Sequence, residues 1–441
     1  MKKKNFIALG FVATALTGSL LFTPSLFAKD ETVEALDNAS IQTSRLQSLA
    51  KFTKGLGLVE KYNVDPVTIE ALMDKALSGM LSNLDAHSTF LNAKHFESMK
   101  IQTDGEFGGL GITVGIKDGA LTVIAPIEGT PADKAGLKAS DIILKINDKS
   151  TLNMTIDDAV GIMRGKKGTP INLTIVRKSE PKPLSVDIIR DIIKIQSVYA
   201  KNIGDDILYL RVTSFDKKVV DGIAKELKKT SSKDKGIILD LRNNPGGLLD
   251  QAVGLVDLFV DEGVIVSQKG RDKQEDKVYS ATSSGTYKDA PIVVLVNEGS
   301  ASASEIVSGA LQDHKRAVVV GENTFGKGSV QVILPITETE AIKLTIARYY
   351  LPSGRTIQAV GVKPDVTVHL GEVKTYENGY SIKEADLKKH LESELEKVDG
   401  KKPKEEKKKD KNVITEEDLT KDLQLKEAVG IAKALQIMKG H

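Results

Sequence analysis

Residues 291–334 read PIVVLVNEGSASASEIVSGALQDHKRAVVVGENTFGKGSVQVIL, and this stretch shows the pattern that decides the fold. An apolar run predicts a strand, the spacing of Ile306, Val307, Ala310 and Leu311 predicts a helix, and two more apolar runs predict strands. The same alternation fills residues 191–370, with strands in YLRVTSF, GIILDLR and AIKLTIARYY and helices in VVDGIAKELKK and LLDQAVGLVDLF. The chain is therefore predicted to contain an α/β core with helices covering a sheet.

Ser302 lies in the small-residue turn that precedes the predicted helix. A hydroxyl there is accessible, and the amides that follow it, beginning with Ala303, point out of a helix N-terminus where an oxyanion can bind. The alternative is structural, because Ser302-Ala-Ser-Glu305 also spells a capping box. The sequence pattern alone leaves both roles open.

Lys327 lies between two glycines and beside an apolar run. A lysine among apolar groups loses solvation, so its pKa falls and it can act as a general base, as in serine–lysine hydrolases. One alternative for Lys327 is a solvated loop residue. Another, for Gly321–Lys327, is a phosphate loop, GxxxxGK[ST]. It fails because Gly328 replaces the hydroxyl residue and the sequence continues as a predicted strand.

Gly246 and Gly247 close the turn Asn243-Asn-Pro-Gly-Gly, which follows the predicted strand Gly236–Leu241 and opens a helix. Such a turn places backbone N–H groups at a helix N-terminus. It is a second candidate oxyanion donor beside Ala303.

Composition limits the remaining function classes. The 441 residues carry a net charge of +2 and few aromatic residues, which gives no support to nucleic-acid binding. There is no cysteine, so disulfides and a thiol nucleophile are excluded. Six histidines are scattered without metal-ligand spacing, and no metal or organic cofactor is predicted.

The N-terminus predicts export. Three lysines precede a mostly apolar stretch that ends at Ala28 before charged residues, as in a secretory signal peptide. The alternative is an uncleaved segment that attaches the protein to the outer face of the inner membrane. Both versions place the folded part in the periplasm or another exported location.

Residues 101–187 form a separate unit whose order of predicted strands and helices resembles a PDZ domain. Its Gly109-Leu110-Gly111-Ile112 stretch resembles the loop that holds a peptide C-terminal carboxylate, where glycines permit close approach and the next strand offers an edge. Arg164 is a candidate contact to the substrate end or to the core; its alternative is a solvated turn charge.

Several separated motifs together resemble the carboxyl-terminal processing peptidases, or tail-specific proteases. They are LDAHSTFL (84–91), LDLRNNPGG (239–247), GSASASEIVSGALQD (299–313), TFGKGSVQ (324–331) and ARYYLPSGRTIQAVGVKPD (347–365). The resemblance implies that Ser302 is the nucleophile, Lys327 the base and Gln331 the residue that orients it, with an oxyanion donor in the Gly-Gly turn. Ala86 stands where the family has proline, which loosens a turn.

The predicted organisation has five parts: a signal peptide (1–28), a helical segment (29–98), a PDZ-like tail-binding domain (99–190), an α/β protease core (191–372), and a charged linker with a C-terminal helix (373–441). The expected function is an exported serine endopeptidase that recognises free C-termini of protein substrates. A homo-oligomer or an activating partner is compatible with the helical segments. The alternative function is a non-catalytic periplasmic PDZ adaptor.

Overall fold

The computed structural model describes residues 30–229, 235–282, 287, 289–372 and 412–439, with backbone alone for 30–41 and 275. The predicted signal peptide and most of the predicted charged linker lie outside these residues. The chain divides into two compact units, 1–79 and 80–441. Within the described residues, no helix combines the length and apolar character that a membrane span requires.

The N-terminal helices are interrupted where the sequence prediction was continuous. The helix α1 spans Asp30–Tyr62 and α2 spans Ile69–Ser82. Pro66 stands between them, and proline restricts the residue before it to extended conformations. A short strand β1 (Thr89–Leu91) and helix α3 (Ala93–Asp104) follow.

The PDZ-like segment is a six-stranded antiparallel sheet with two helices. A two-stranded ribbon joins it to the core by pairing β2 (Glu106–Gly109) with β9 (Asp191–Lys194). The sheet order is β3-β4-β5-β7-β8, with β6 on β5, so β3 is an edge strand. Its elements are β3 (Ile112–Lys117), β4 (Ala120–Pro126), α4 (Pro131–Lys134), β5 (Ile142–Ile146), β6 (Lys149–Ser150), α5 (Ile156–Met163), β7 (Pro170–Val176) and β8 (Leu184–Ile189).

The core is built on a seven-stranded sheet in the order β19-β16-β15-β12-β11-β10-β20. All neighbouring pairs are parallel except β10 with β11. Its elements are β10 (Val198–Ile203), β11 (Ile207–Val212), α6 (Val219–Lys229), β12 (Gly236–Asp240), α7 (Leu249–Asp257), β15 (Ile292–Val296), α8 (Ala303–Asp313), β16 (Val318–Gly321), β19 (Val366–Thr367) and β20 (Val413–Ile414).

Alternate residues of these strands pack on opposite faces of the sheet. Ile237 and Leu239 face the cluster formed with α6, α7 and α8, whereas Ile238 faces the cluster formed with the C-terminal helices α9 (Glu416–Thr420) and α10 (Leu423–Lys439). The strands are buried on both faces, which explains their nearly continuous apolar sequences. The C-terminal helix, whose docking partner was left open by the sequence, thus packs on the core.

A second sheet carries the segments that follow the lysine loop. Its long central strand β18 (Ala341–Tyr350) pairs along one edge with β17 (Ser329–Pro335). The other edge pairs with β1 and with β13 (Val264–Gly270), which in turn pairs with β14 (Lys277–Ser280).

Candidate active site

Three loops meet at the carboxyl ends of three neighbouring parallel strands. The Asn-Asn-Pro-Gly-Gly turn follows β12, the serine turn follows β15, and the lysine loop follows β16. Sites in open α/β sheets form at such edges, because the loops that leave adjacent parallel strands converge there. Gly246, Ser302 and Lys327, which are separated by up to 81 positions along the chain, therefore lie in loops at one edge of the sheet.

Ser302 is the N-cap of α8 and has an unusual backbone conformation. Its φ is 55° and its ψ is −110°, values that few non-glycine residues adopt. The residue is 9% exposed, and residues 303–311 of the helix behind it are all buried. Strain of this kind persists only where the surroundings enforce it, and it concentrates at functional sites.

Gly246 packs directly against the serine turn. A β-carbon at Gly246 would lie 2.7 Å from the Ala301 carbonyl oxygen, 2.9 Å from the Ala303 nitrogen and 2.9 Å from Ser302 Cβ. Its φ of 97° also requires glycine. The absence of a side chain is therefore what lets the two predicted oxyanion loops touch.

The two glycines of this turn differ in hydrogen bonding. Gly246 N–H donates to Asn244 Oδ1 at 2.9 Å, so it is engaged within its own turn. Across the described residues, neither Gly247 N–H nor Ala303 N–H donates to a protein acceptor. Of the two glycines, Gly247 is the one whose N–H is left without a protein acceptor among the described residues.

Glu305 ties the serine turn to the lysine loop. Its Oε2 accepts from the backbone N–H of Ser302 and from that of Lys327, both at 2.8 Å. Its Oε1 accepts from Gly326 N–H at 2.7 Å and from Thr324 Oγ1 at 2.6 Å. The side chain is fully buried, and four donors satisfy its carboxylate. The capping position predicted for Glu305 is correct, but the sequence did not show that the same carboxylate holds the lysine loop.

Lys327 is half-buried, and the chain after it continues into the strand β17 and not into a helix. This geometry agrees with the rejection of a phosphate loop. Loss of solvation on burial lowers the pKa of Lys327, and the positive charge of Lys343 lowers it further, whereas Glu305 acts in the opposite direction. The described structure contains no hydrogen bond from Lys327 Nζ to Ser302 or to Gln331.

Gln331 is held in a hydroxyl network. Its Nε2 donates to Ser329 Oγ at 2.9 Å and to Thr345 Oγ1 at 3.2 Å. Thr345 Oγ1 in turn donates to Asp85 Oδ1 at 3.1 Å. Both amide hydrogens of Gln331 thus face hydroxyls, which leaves Oε1 free to accept from another donor.

Asp85 anchors the network through the LDAHS motif. It accepts from Ser88 Oγ at 2.6 Å and from the backbone N–H groups of His87 and Ser88 at 2.7 and 2.9 Å. Burial alone would raise the pKa of Asp85, but these hydrogen bonds lower it to about 2. Burial and the nearby charge of Lys327 lower the pKa of His87. Sequence reasoning used this motif for the family resemblance and did not connect Asp85 with Gln331.

The predicted tail-binding loop lies at the start of the edge strand β3. Leu110 is buried and packs with Ala159 and Met163 of α5. Gly111 has a φ of 78°, and a β-carbon there would lie 2.3 Å from Thr130 Cβ. Ile112, which begins β3, packs against the same cluster.

Arg164 ends α5 beside the ribbon that joins the PDZ-like segment to the core. Its guanidinium carbon lies 5.2 Å from the ring centroid of Phe107 on β2. The residue is half-buried, and its Nε has no hydrogen-bond partner among the described residues. Arg164 thus contacts the ribbon, and its contact to the substrate end or to the core stays a prediction.

Two family models match parts of the chain. The model of peptidase family S41 matches residues 206–368, and a PDZ domain model matches residues 122–177. The matches confirm the predicted fold class, an α/β protease core with a PDZ domain.

Individual relatives extend the similarity over most of the chain. A carboxy-terminal-processing protease of Bartonella bacilliformis is 43% identical over 372 residues, which cover 82% of this chain and 85% of the relative. Carboxy-terminal processing protease CtpA of Bacillus subtilis is 36% identical over 324 residues, covering 70% and 68%. A solved structure, the photosystem II D1 C-terminal processing protease, is 29% identical, with a TM-score of 0.43 and coverage of 71% and 86%. The chain therefore belongs to the carboxy-terminal processing proteases of peptidase family S41 and is a serine-type peptidase.

Proposed function

We propose that Ser302 is the nucleophile and neutral Lys327 its general base. One observation carries this proposal: Oε2 of Glu305 holds the backbone N–H groups of both residues at 2.8 Å. A single buried atom thereby fixes the relative position of the two loops. In an enzyme without bound substrate, catalytic hydrogen bonds are often long and shorten in the complex, so the absence of a direct contact is compatible with the assignment.

In the proposed reaction, Lys327 accepts a proton and later returns it. As Ser302 Oγ attacks the scissile carbonyl carbon, Lys327 Nζ accepts the hydroxyl proton, and the tetrahedral oxygen receives hydrogen bonds from Ala303 and Gly247 N–H. Collapse breaks the C–N bond, and the Lys327 ammonium protonates the leaving amine. Water then attacks the acyl-enzyme with Lys327 as base, which releases the new C-terminus and restores Ser302.

Gln331 is proposed to position Lys327 rather than to react. Since Ser329 and Thr345 accept from its amide nitrogen, its Oε1 is the group left to accept from a donor. A Lys327 amine that donates to this oxygen keeps its lone pair for Ser302. The Asp85–Thr345 hydrogen bond supports this orientation from the other side.

The PDZ domain is proposed to recognise the free C-termini of protein substrates. The edge position of β3 and the glycine loop before it suit addition of a peptide strand whose carboxylate meets backbone amides. The relatives' names describe carboxy-terminal processing, which supports the same substrate class. We also propose export, from the signal-like residues 1–28, with the membrane-attached form as its alternative.

The experiment compares wild-type protein with Ser302→Ala and Ser308→Ala on an unstructured protein substrate. Ser308 is a buried serine on the same helix whose hydroxyl bonds to the Ser304 carbonyl at 2.8 Å, so it controls for loss of a buried hydroxyl. We expect Ser302→Ala to abolish cleavage while binding of a C-terminal peptide stays unchanged. Retained cleavage by a folded Ser302→Ala variant would refute the nucleophile assignment.

A further inference from the structure

The second sheet has a gap in one edge beside the lysine loop. Along that edge, β18 pairs with β1 at residues 341–343 and with β13 at residues 347–350, and residues 344–346 lie between these pairings. A cavity of about 450 Å³ occupies the gap. The loop before β1 lines one end, and the end of β13 lines the other. We call this cavity the β18 notch.

The β18 notch adjoins the proposed catalytic residues. Ser329 and Thr345 line it, and both accept hydrogen bonds from Gln331. Gln358 also lines it and accepts from the backbone N–H of Gly328, the residue after Lys327. A substrate bound across Ser302 and Lys327 therefore has residues within reach of the notch.

The notch has an excess of positive charge. Lys269 on β13 lies directly opposite Arg348 on β18, and Arg271 follows on the same wall. Like charges at opposed positions of an antiparallel pair destabilise the sheet. Among the described residues, no ion pair includes any of these three cations.

Neighbouring groups do not neutralise the charges of Lys269, Arg271 and Arg348. Lys269 Nζ lies 4.8 Å from the ring centroid of Tyr350, a contact that leaves its charge in place. Asp85 is the carboxylate that lines the notch, and its oxygens accept from Ser88, His87 and Thr345. The pKa of His87 is lowered, which keeps its ring neutral near pH 7.

We propose that the β18 notch is a substrate subsite that binds a carboxylate, supplied by an acidic side chain near the scissile bond or by a nearby free C-terminus. The planar guanidinium of Arg348 matches the two oxygens of a carboxylate, and Lys269 adds a point charge. A bound carboxylate removes the repulsion across the β13–β18 pair. The inference rests on the proposed function of the adjoining site and names the substrate chemistry that this site selects.

The test measures kcat and KM for unstructured peptides that share one cleavage site and one tail and carry Glu or Gln at each flanking position in turn. We expect wild-type protein to prefer Glu by about fivefold at one or two positions, mainly through KM, since a charge contact forms in the ground state as well. High salt should reduce the preference. The double variant Lys269→Gln/Arg348→Gln should lose the preference, so that it cleaves matched Glu and Gln peptides at equal rates.

A matched variant and a second peptide set complete the design. Lys201→Gln removes an exposed cation on β10 and should keep the preference for Glu. A second peptide set has its C-terminus close to the cut bond, either free or amidated. If amidation slows cleavage by wild-type protein but not by the double variant, a terminal carboxylate is the group that binds.

Equal cleavage of Glu, Gln, free and amidated peptides by wild-type protein overturns the subsite. A preference that survives in the double variant overturns it as well. Failure of the Ser302 assignment can be distinguished from failure of the subsite, because it is measured as cleavage of the Gln peptides by the Ser302→Ala variant.

Discussion

At the scale of single residues, the positive charge of Lys343 acts on the proposed base Lys327. After burial, its positive charge is the next cause that lowers the pKa of Lys327. Removal of that charge in Lys343→Gln should raise the pKa of Lys327, because its ammonium form loses a repulsive neighbour. The neutral base then forms at higher pH, and the rise of kcat/KM with pH should move to higher pH.

The control for this prediction is Lys343→Arg, which keeps the charge and should keep the wild-type pH profile. The measurement is kcat/KM across the pH range in which the proteins stay folded. An unshifted profile in Lys343→Gln would remove Lys343 from the electrostatics of the site.

Thr345 tests the positioning of Gln331. Thr345→Val keeps the shape but loses the hydroxyl that accepts from Gln331 and donates to Asp85. We expect kcat to fall about tenfold with little change in KM, because misorientation of the base affects the transition state. Thr345→Ser should restore most of the activity. Equal rates for the valine and serine variants would show that the hydroxyl network does not orient the base.

The sequence predicts some of these residues and not others. Ser302 and Lys327 stand out because a serine before a helix and a lysine between glycines have recognisable local patterns. The Asp85–Thr345 contact joins residues 260 positions apart, and a single sequence contains no signal for such a pairing. Glu305 is intermediate: its capping position is visible, but its bonds to residues 324–327 depend on the tertiary fold.

At the scale of elements, a buried charge network joins the C-terminal helices to the strand that leads to the oxyanion turn. Arg242 bonds to Asp240 at the end of β12 at 2.7 Å and to Asp422 before α10 at 2.8 Å. Asp240 is fully buried and also accepts from Tyr209 Oη at 2.8 Å. The network fixes both the turn and the docked helix.

Arg242→Met should therefore lower the free energy of unfolding by about 3–5 kcal/mol, because it leaves the Asp240 carboxylate buried without its partner. Lys421→Met breaks an exposed pair with Glu417 and serves as the control, with little expected change. Chemical denaturation of both variants gives the comparison. An Arg242→Met protein as stable as the control would show that the buried pair does not hold this region together.

Helices and strands with strong hydrophobic patterns can be predicted from the sequence, whereas those with weak patterns cannot. The buried parallel strands β11, β12, β15 and β16 and the helices α6, α7 and α8 follow from apolar runs and helical spacing. The strands β13 and β14 were not predicted, because their sequences, VIVSQKG and KVYS, mix polar and apolar residues on a half-exposed sheet. The single C-terminal helix predicted from residue 415 is divided into α9 and α10 by residues 421–422.

At the scale of the whole molecule, the ribbon of β2 and β9 brings together two chain positions between which the PDZ domain can be deleted. Gly109 and Asp191 are paired across the ribbon, so a short glycine linker can replace residues 110–190. We expect this variant to lose the preference for a free over an amidated C-terminus that lies far from the cut bond. A folded variant that still discriminates between these tails would contradict tail recognition by the PDZ domain.

The same variant distinguishes a PDZ domain that only tethers substrates from one that also activates the core. If the domain only tethers substrates, the variant should still cleave unfolded chains that lack a recognised tail at the wild-type rate. A general loss of cleavage with an intact melting transition would indicate that the PDZ domain also shifts the core towards its active conformation.

The central claim is that a neutral Lys327 activates Ser302, and the pH dependence of Lys327→Arg tests it most directly. Arginine keeps the positive charge but does not deprotonate at accessible pH. Wild-type kcat/KM should rise with pH through the lowered pKa of Lys327, because the neutral amine is the active form. Lys327→Arg should show no cleavage at any pH at which it is folded. A Lys327→Arg enzyme with substantial activity, or with the wild-type pH profile, would contradict the account.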